Sequence, residues 1–257
     1  MQRYCSLKII VICSTLYSFS INNLGAQSLQ KCELKNTTIF HGELIKYNVF
    51  YTLAGVYVPA GEAAFSTTLS KHDGKPVFLL SGVGNTYPSY DWFFKVRDIY
   101  ESIVDTTTLL PIQFTRNVSE GSHKMYHKAI FNREKNVATS NNIKTIISDC
   151  VQDVLSMIYY ARNIDYNQFK TGDFIPYDLY LDNKMYSLYL KYMGKQVIKT
   201  KYGSFDCFKI KPKLIEGTIF RGGEEMTVYV SNDKRKIPIY IETPIIVGKI
   251  KVYYVPN

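Results

Sequence analysis

The stretch Glu43-Leu44-Ile45-Lys46-Tyr47-Asn48-Val49-Phe50-Tyr51-Thr52-Leu53 decides how this chain folds. Ile45, Tyr47, Val49, Tyr51 and Leu53 share one side of a two-residue repeat, while Lys46, Asn48 and Thr52 take the other. Successive side chains of an extended backbone point to opposite faces, so this is a strand with one buried side. Working outward, Ala60 to Leu69 and Pro76 to Gly82 read as the next strands, with His72-Asp73-Gly74-Lys75 as a hairpin turn. Trp92 to Val104, Leu110 to Glu120 and Lys124 to Arg133 continue the pattern. Further on come Phe174–Leu181, Met185–Tyr192, Gln196–Lys201 and Ser204–Lys211, linked by Asp182-Asn183-Lys184, Gly194 and Gly203. Met226–Ser231, Ile237–Glu242 and Val247–Tyr254 complete the series.

One segment breaks the two-residue period. Asp149 to Asn163 places Val151, Val154, Leu155, Ile158 and Ala161 at helical spacing, with Asp149 and Gln152 at capping-box positions. A main α-helix near 149–163 is therefore predicted, its apolar stripe laid on the sheet. The fold class is mainly β. A long antiparallel meander must hide its edges, and strong curvature does so, giving a curved sheet or partly open barrel that the helix plugs or covers. A two-sheet β-sandwich is the alternative.

The N-terminus has the pattern of a secretory signal. Arg3 and Lys8 are basic, no acidic residue precedes Glu33, and Ile9 to Tyr17 is apolar. Leu24-Gly25-Ala26 before Gln27 supplies small residues for cleavage, although Leu24 is larger than usual at its position. Residues 1–26 are read as a signal peptide and 27–257 as a single β-rich domain. The apolar run is short of the ~20 residues that span a bilayer, and no later segment reaches that length. Cys13 follows Ile12 and Cys32 follows Lys31, which disfavours lipid attachment. Cleavage would remove two basic residues from a formal net charge of +9. The remaining lysines are spread among strands and turns, as on a solvated basic surface, so no nucleic-acid partner is expected.

Cys32, Cys150 and Cys207 follow the signal, an odd number, so at most one intrachain bridge forms. Cys32 precedes the first strand and Cys150 opens the predicted helix, and Cys32–Cys150 is the expected pair. Cys207 lies within a strand, where a buried thiol packs as a small hydrophobe.

Catalytic patterns are weak. His123 and His127 would share a helix face but lie in a strand or turn context without a third ligand, so no metal is expected. No Gly-x-Ser-x-Gly string occurs, and Ser156 falls within the helix. Asp98, Glu101 and Asp105 form the nearest carboxylate cluster, but Asp98 and Glu101 point to opposite faces of a strand. No cofactor is implied, and the chain is expected not to be an enzyme.

The segment Tyr87 to Tyr100 is the most unusual. Tyr90, Trp92, Phe93, Phe94 and Tyr100 surround Lys95, Arg97 and Asp98. An aromatic groove for an apolar ligand is one reading, lined by Tyr90, Trp92, Phe94 and Tyr100, with Arg97 at its polar end and Tyr159 and Arg162 joining from the helix. An aromatic core strand with Arg97 and Asp98 in ion pairs is the other.

Several ordered strings carry a resemblance. They are Phe40-His41-Gly42-Glu43-Leu44-Ile45-Lys46-Tyr47, Tyr90-Asp91-Trp92-Phe93-Phe94-Lys95-Val96-Arg97-Asp98, and the helix Asp153-Val154-Leu155-Ser156-Met157-Ile158-Tyr159-Tyr160-Ala161-Arg162. Phe205-Asp206-Cys207-Phe208-Lys209-Ile210-Lys211-Pro212, Glu216-Gly217-Thr218-Ile219-Phe220 and Met226-Thr227-Val228-Tyr229-Val230-Ser231 extend it. From about Cys32 to Tyr254 the chain resembles the exported bacterial family called domain of unknown function 3108, in its Bacteroidetes form. The resemblance implies a β-rich protein of the periplasm or outer membrane of a Gram-negative bacterium. It supplies no catalytic residues. The expected role is a non-enzymatic envelope protein holding a hydrophobic or lipid-like molecule, or an envelope partner, in its curved sheet. The alternatives are a structural or assembly factor with a packed core, and an unrecognised hydrolase.

Overall fold

The computed structural model describes residue 32 and residues 34–215 and 222–256. The predicted signal and the family string 216–220 lie outside them. Eight strands precede the helix: β1 (Leu44–Leu53), β2 (Val56–His72), β3 (Lys75–Thr86), β4 (Arg97–Asp105), β5 (Pro111–Glu120), β6 (His123–Asn132), β7 (Val137–Ser140) and β8 (Ile143–Ile146). After α1 (Val154–Ala161) come β9 (Phe174–Leu181), β10 (Lys184–Thr200), β11 (Gly203–Pro212), β12 (Thr227–Ser231), β13 (Pro238–Pro244) and β14 (Lys249–Val255).

All fourteen form one antiparallel sheet in the order β8-β7-β6-β5-β4-β3-β2-β1-β14-β13-β12-β11-β10-β9. Two meanders are thus fused where β1 pairs with β14, Tyr47 opposite Tyr254 and Tyr51 opposite Ile250. Tight turns drive the zigzag. Ala54-Gly55, Asp73-Gly74, Asn141-Asn142 and Asp182-Asn183 all have positive φ at both residues, the mirror-image turn whose twist matches that of the strands it joins.

So wide a sheet curls, and its two edges approach each other. Gln152 forms a single parallel bridge with Leu179 of β9, its N–H donating to Asp178 O (2.9 Å) and its carbonyl accepting from Tyr180 N–H (2.8 Å). Thr145 Oγ1 of β8 donates to Asn183 O at 2.9 Å. No ladder forms across this seam, so the sheet stays an open, barrel-like curl rather than a closed barrel.

The connection between the two edges carries α1 into the curl. Leu155 and Tyr159 enter a core with Phe78, Leu80, Val104, Phe114, Ala129 and Phe131, which belong to β3–β6. Met157 and Tyr160 enter a second core with Ile175, Leu190, Phe208, Ile210 and Val230, from the other half. A helix apolar on two sides must be buried on both. Gly82 of β3 permits the close approach, since a Cβ there would stand 3.3 Å from Leu155 Cδ1.

Several sequence expectations change. The helix starts at Val154, capped by Asp153 rather than Asp149. The Asp153 carboxylate accepts from Leu155 and Ser156 N–H, and Ser156 Oγ accepts from Asp153 N–H. Asp149 instead accepts from Asn136 Nδ2 (2.7 Å), and Gln152 is held extended by its bridge to β9. Of the predicted stripe, Val151, Val154, Leu155 and Ala161 all reach the two cores, Val151 from just before the helix, and Ile158 faces outward. Trp92 to Val96 is not strand. Tyr87 to Phe94 coils through turns, Tyr90 N–H bonding Tyr87 O and Phe93 N–H bonding Tyr90 O, and β4 begins at Arg97. Gly194 is not a turn but an irregularity within β10, where the register slips between Tyr192 and Lys195. The short strands β7 and β8 lie outside the strands expected from the sequence.

Candidate functional site

The seven residues proposed as one groove do not converge. Tyr100 and Tyr159 contribute to the first core cluster, where Tyr159 is buried. Tyr90 packs under the coil with Tyr51 and Ala60, a separate small cluster. Trp92 and Phe94 lie on the exposed side of the same coil. Arg97 grips Asp91 with two hydrogen bonds (Nη2–Oδ2 2.7 Å, Nη1–Oδ1 3.1 Å) and also donates to Thr86 O. That pairing holds the Asp91 carboxyl below its usual range. Asp98 accepts from Ser119 N–H at 2.9 Å, and burial raises its pKa. Arg162 turns inward, away from this region.

The coil belongs to a larger feature. Strand direction puts the β1–β2 turn, the β3–β4 connection and the β13–β14 turn at the same end of adjoining strands. Their tips expose Leu53, Val56, Trp92, Phe93, Ile246 and Val247, with Trp92 at 83% of its full area. Underneath, Tyr51 meets Tyr90 and Phe93 at ring-centroid distances of 6.2 and 5.6 Å, and Phe93 meets Trp92 at 6.0 Å. An open cleft of about 460 Å³ adjoins this rim, lined by Leu53, Tyr57, Gly248, Lys249 and Lys251 among others. Lys249 and Lys251 both reach Glu242, at 3.1 and 3.6 Å.

On the outer face beside the cleft runs a cross-strand row of rings outside the expected site residues: Tyr57, Phe50, Tyr253, Tyr240 and Tyr229. Tyr57 and Tyr253 share a hydroxyl hydrogen bond of 2.7 Å, and Lys251 and Lys209 lie over the rings at its two ends. The signal was present as aromatic residues at outward positions of neighbouring strands, a pattern that register alone brings together.

Three buried polar groups remain. Arg162 forks onto Glu43 (Nη1–Oε2 and Nη2–Oε1 both 2.7 Å) and donates to Arg235 O. Asp153, besides capping α1, accepts from Ser102 Oγ at 2.6 Å, and burial pushes its pKa up to about 6. At the seam, Arg116 pairs with Asp182, and His127 Nε2 meets Ser140 Oγ at 2.9 Å. Burial, then the Arg116 charge, lowers the proton affinity of His127. A serine nucleophile must be open to substrate, and Ser140 is only 2% exposed. Among the described residues no three His, Cys, Asp or Glu side chains gather as a metal site. A disulfide joins Cys32 to Cys150, and Cys207 is free and buried, its thiol pushed up to about 12 by burial.

Fold and site together define a class: an open, barrel-like antiparallel meander with a helix packed inside it. A crystal structure of a β-barrel-like protein of domain of unknown function DUF1849 from Brucella abortus shares this architecture. The match has a TM-score of 0.51 at 9% identity and covers 82% of this chain and 95% of that one. The family model described as protein of unknown function DUF3108 matches residues 46–255, and the chain belongs to that family. No curated protein matches the sequence.

Proposed function

We propose that this is an exported, non-enzymatic protein of the bacterial envelope, a rigid β scaffold that acts through its surface rather than through an internal ligand cavity. The observation that carries the reading is α1 inside the curl. Its side chains join both halves of the core, and Arg162 is locked onto Glu43 beneath it. A lipid-like molecule in the concave face would have to displace that helix and break a buried ion pair. The basic and apolar N-terminus and the Cys32–Cys150 disulfide support export, because disulfides persist in oxidising compartments.

Native mass spectrometry of the protein purified from cell envelopes tests both halves of this reading. The expected species lacks about the first 26 residues, retains one disulfide and carries no stoichiometric small molecule. A full-length cytoplasmic species would overturn export. A ligand that survives desalting at one per chain would overturn the packed scaffold.

A further inference from the structure

We propose that the apolar rim is a membrane-docking surface, whose turn tips insert into the interfacial layer of an anionic phospholipid bilayer. This deepens the envelope reading above by naming the surface on which the scaffold works.

Three adjoining turns project apolar side chains from one end of the sheet: Val56 from the first, Trp92 and Phe93 from the second, Ile246 and Val247 from the third. Each is more than half exposed. Contiguous apolar patches of this kind mark contact surfaces, and here the patch is made of tips rather than a groove. Separate projecting side chains can each enter a fluid interface, whereas a folded protein partner would need a matching pocket for every tip.

The middle tip is also held in place. Phe93 rests on Tyr51, which is buried with Ala60 and Tyr90, so the coil stands on a packed base. That coil has little conformational freedom left to lose when it meets a surface.

The surrounding charge fits anionic headgroups. Lys95, Arg97, Lys249 and Lys251 flank the tips, with the carboxylates of Asp91, held by Arg97, of Glu242, shared by the two lysines at the start of β14, and of Glu120, which bridges to Val96. Lys95 is exposed beside Trp92 and Phe93, and Lys249 is exposed beside the third turn, so headgroup phosphates can meet both ammonium groups. Lys and Trp together are the residues favoured at a membrane–water boundary, Trp because its ring is apolar with one polar N–H. Among the described residues no helix is long and apolar enough to cross a membrane.

Trp92 is the sole tryptophan of the chain, so its fluorescence reports the rim alone. The purified exported chain is mixed with vesicles of phosphatidylglycerol and phosphatidylcholine in equal parts. Trp92 emission should shift to the blue, lipids brominated on their acyl chains should quench it, and the protein should sediment with the vesicles. Phe93→Ser combined with Val247→Ser should weaken partitioning roughly tenfold or more through lost apolar contact. Lys95→Glu should weaken it about fivefold or more on anionic vesicles only. No blue shift and no quenching with the wild-type chain, while its circular dichroism stays that of a folded β protein, would overturn the proposal. A blue shift that follows protein concentration without lipid would also overturn it, assigning the rim to a second copy of the chain. The vesicle result does not depend on where the cell sends the protein. A cytoplasmic location would therefore sink the envelope reading and leave this measurement standing, and the converse also holds.

Discussion

Arg162 and Glu43 face each other through two hydrogen bonds of 2.7 Å, with side chains only 2% and 1% exposed, and they join the C-terminal end of α1 to the start of β1. Arg162 also donates to Arg235 O before β13, and its guanidinium lies 5.5 Å from the centre of the Tyr159 ring. A charge this deep is tolerable only while paired, because water cannot solvate the partner left behind. Arg162→Ala or Glu43→Ala should each lower unfolding free energy by about 3–5 kcal/mol, read as a fall in the urea midpoint. The double replacement Arg162→Met with Glu43→Leu leaves no orphaned charge and should lose much less than the sum of the two single changes. Additive losses would show that the pair is not coupled.

Asp153 predicts a pH dependence with a definite sign. Burial raises its folded pKa to about 6 from an ordinary carboxyl value of 3.8. Between those values the folded chain keeps a proton that the unfolded chain has released. Its contribution is therefore fully present below pH of about 4 and is lost as pH rises through about 6, on the order of 3 kcal/mol in all. Asp153→Asn keeps an oxygen to cap Leu155 and Ser156 N–H and cannot titrate. Urea midpoints measured across this window should fall with rising pH in the wild-type chain more steeply than in the variant. Equal slopes would remove Asp153 as the cause.

The disulfide ties the segment before β1 to the segment before α1, across a sequence separation of 118 residues. Cross-linking so long a loop mainly restricts the unfolded chain. Replacing Cys32 and Cys150 together by Ser should cost roughly 2–5 kcal/mol in chemical denaturation. Cys207→Ser, at a buried thiol outside the bond, should leave the effect of reductant on stability intact. A wild-type protein whose melting is unchanged by reductant would contradict this.

The strands were legible because each needs only local alternation. Ile45, Tyr47 and Tyr51 are buried as their spacing indicates. The helix was legible as an element with its buried side, but its starting residue was not. Asp149 with Gln152 fits a capping box as well as Asp153 with Ser156 does, and the choice falls to Gln152, whose backbone is taken by Asp178 and Tyr180 of a strand formed later in the chain. Glu43 gave no local sign of its role, since its partner lies 119 positions away. At Trp92-Phe93-Phe94 the apolar run looked like strand or pocket lining. Sequence period does not separate aromatic side chains that enter a core from those that project from a turn. Only the hydrogen bonds of the coil at Tyr87 and Tyr90 turn these rings outward.

Gly82 and Gly84 stand two residues apart on the same strand and provide an internal control for how closely α1 packs. A Cβ at Gly82 would lie 3.1 Å from Phe65 Cε1 and 3.3 Å from Leu155 Cδ1, whereas one at Gly84 would meet nothing within 4 Å. Gly82→Val should therefore overpack the interface between α1 and the sheet and destabilise by about 1–3 kcal/mol. Gly84→Ala should be neutral or stabilise by up to about 1 kcal/mol, since alanine loses less backbone freedom in a strand. Leu155→Ala alone should cost roughly 2–5 kcal/mol, because Leu155 is buried between β3 and the core. In the Gly82→Val background, however, the space vacated by Leu155 receives the new methyl groups, so the double variant should be more stable than the two losses added together. Strict additivity would place the helix farther from β3 than its packing on Gly82 requires.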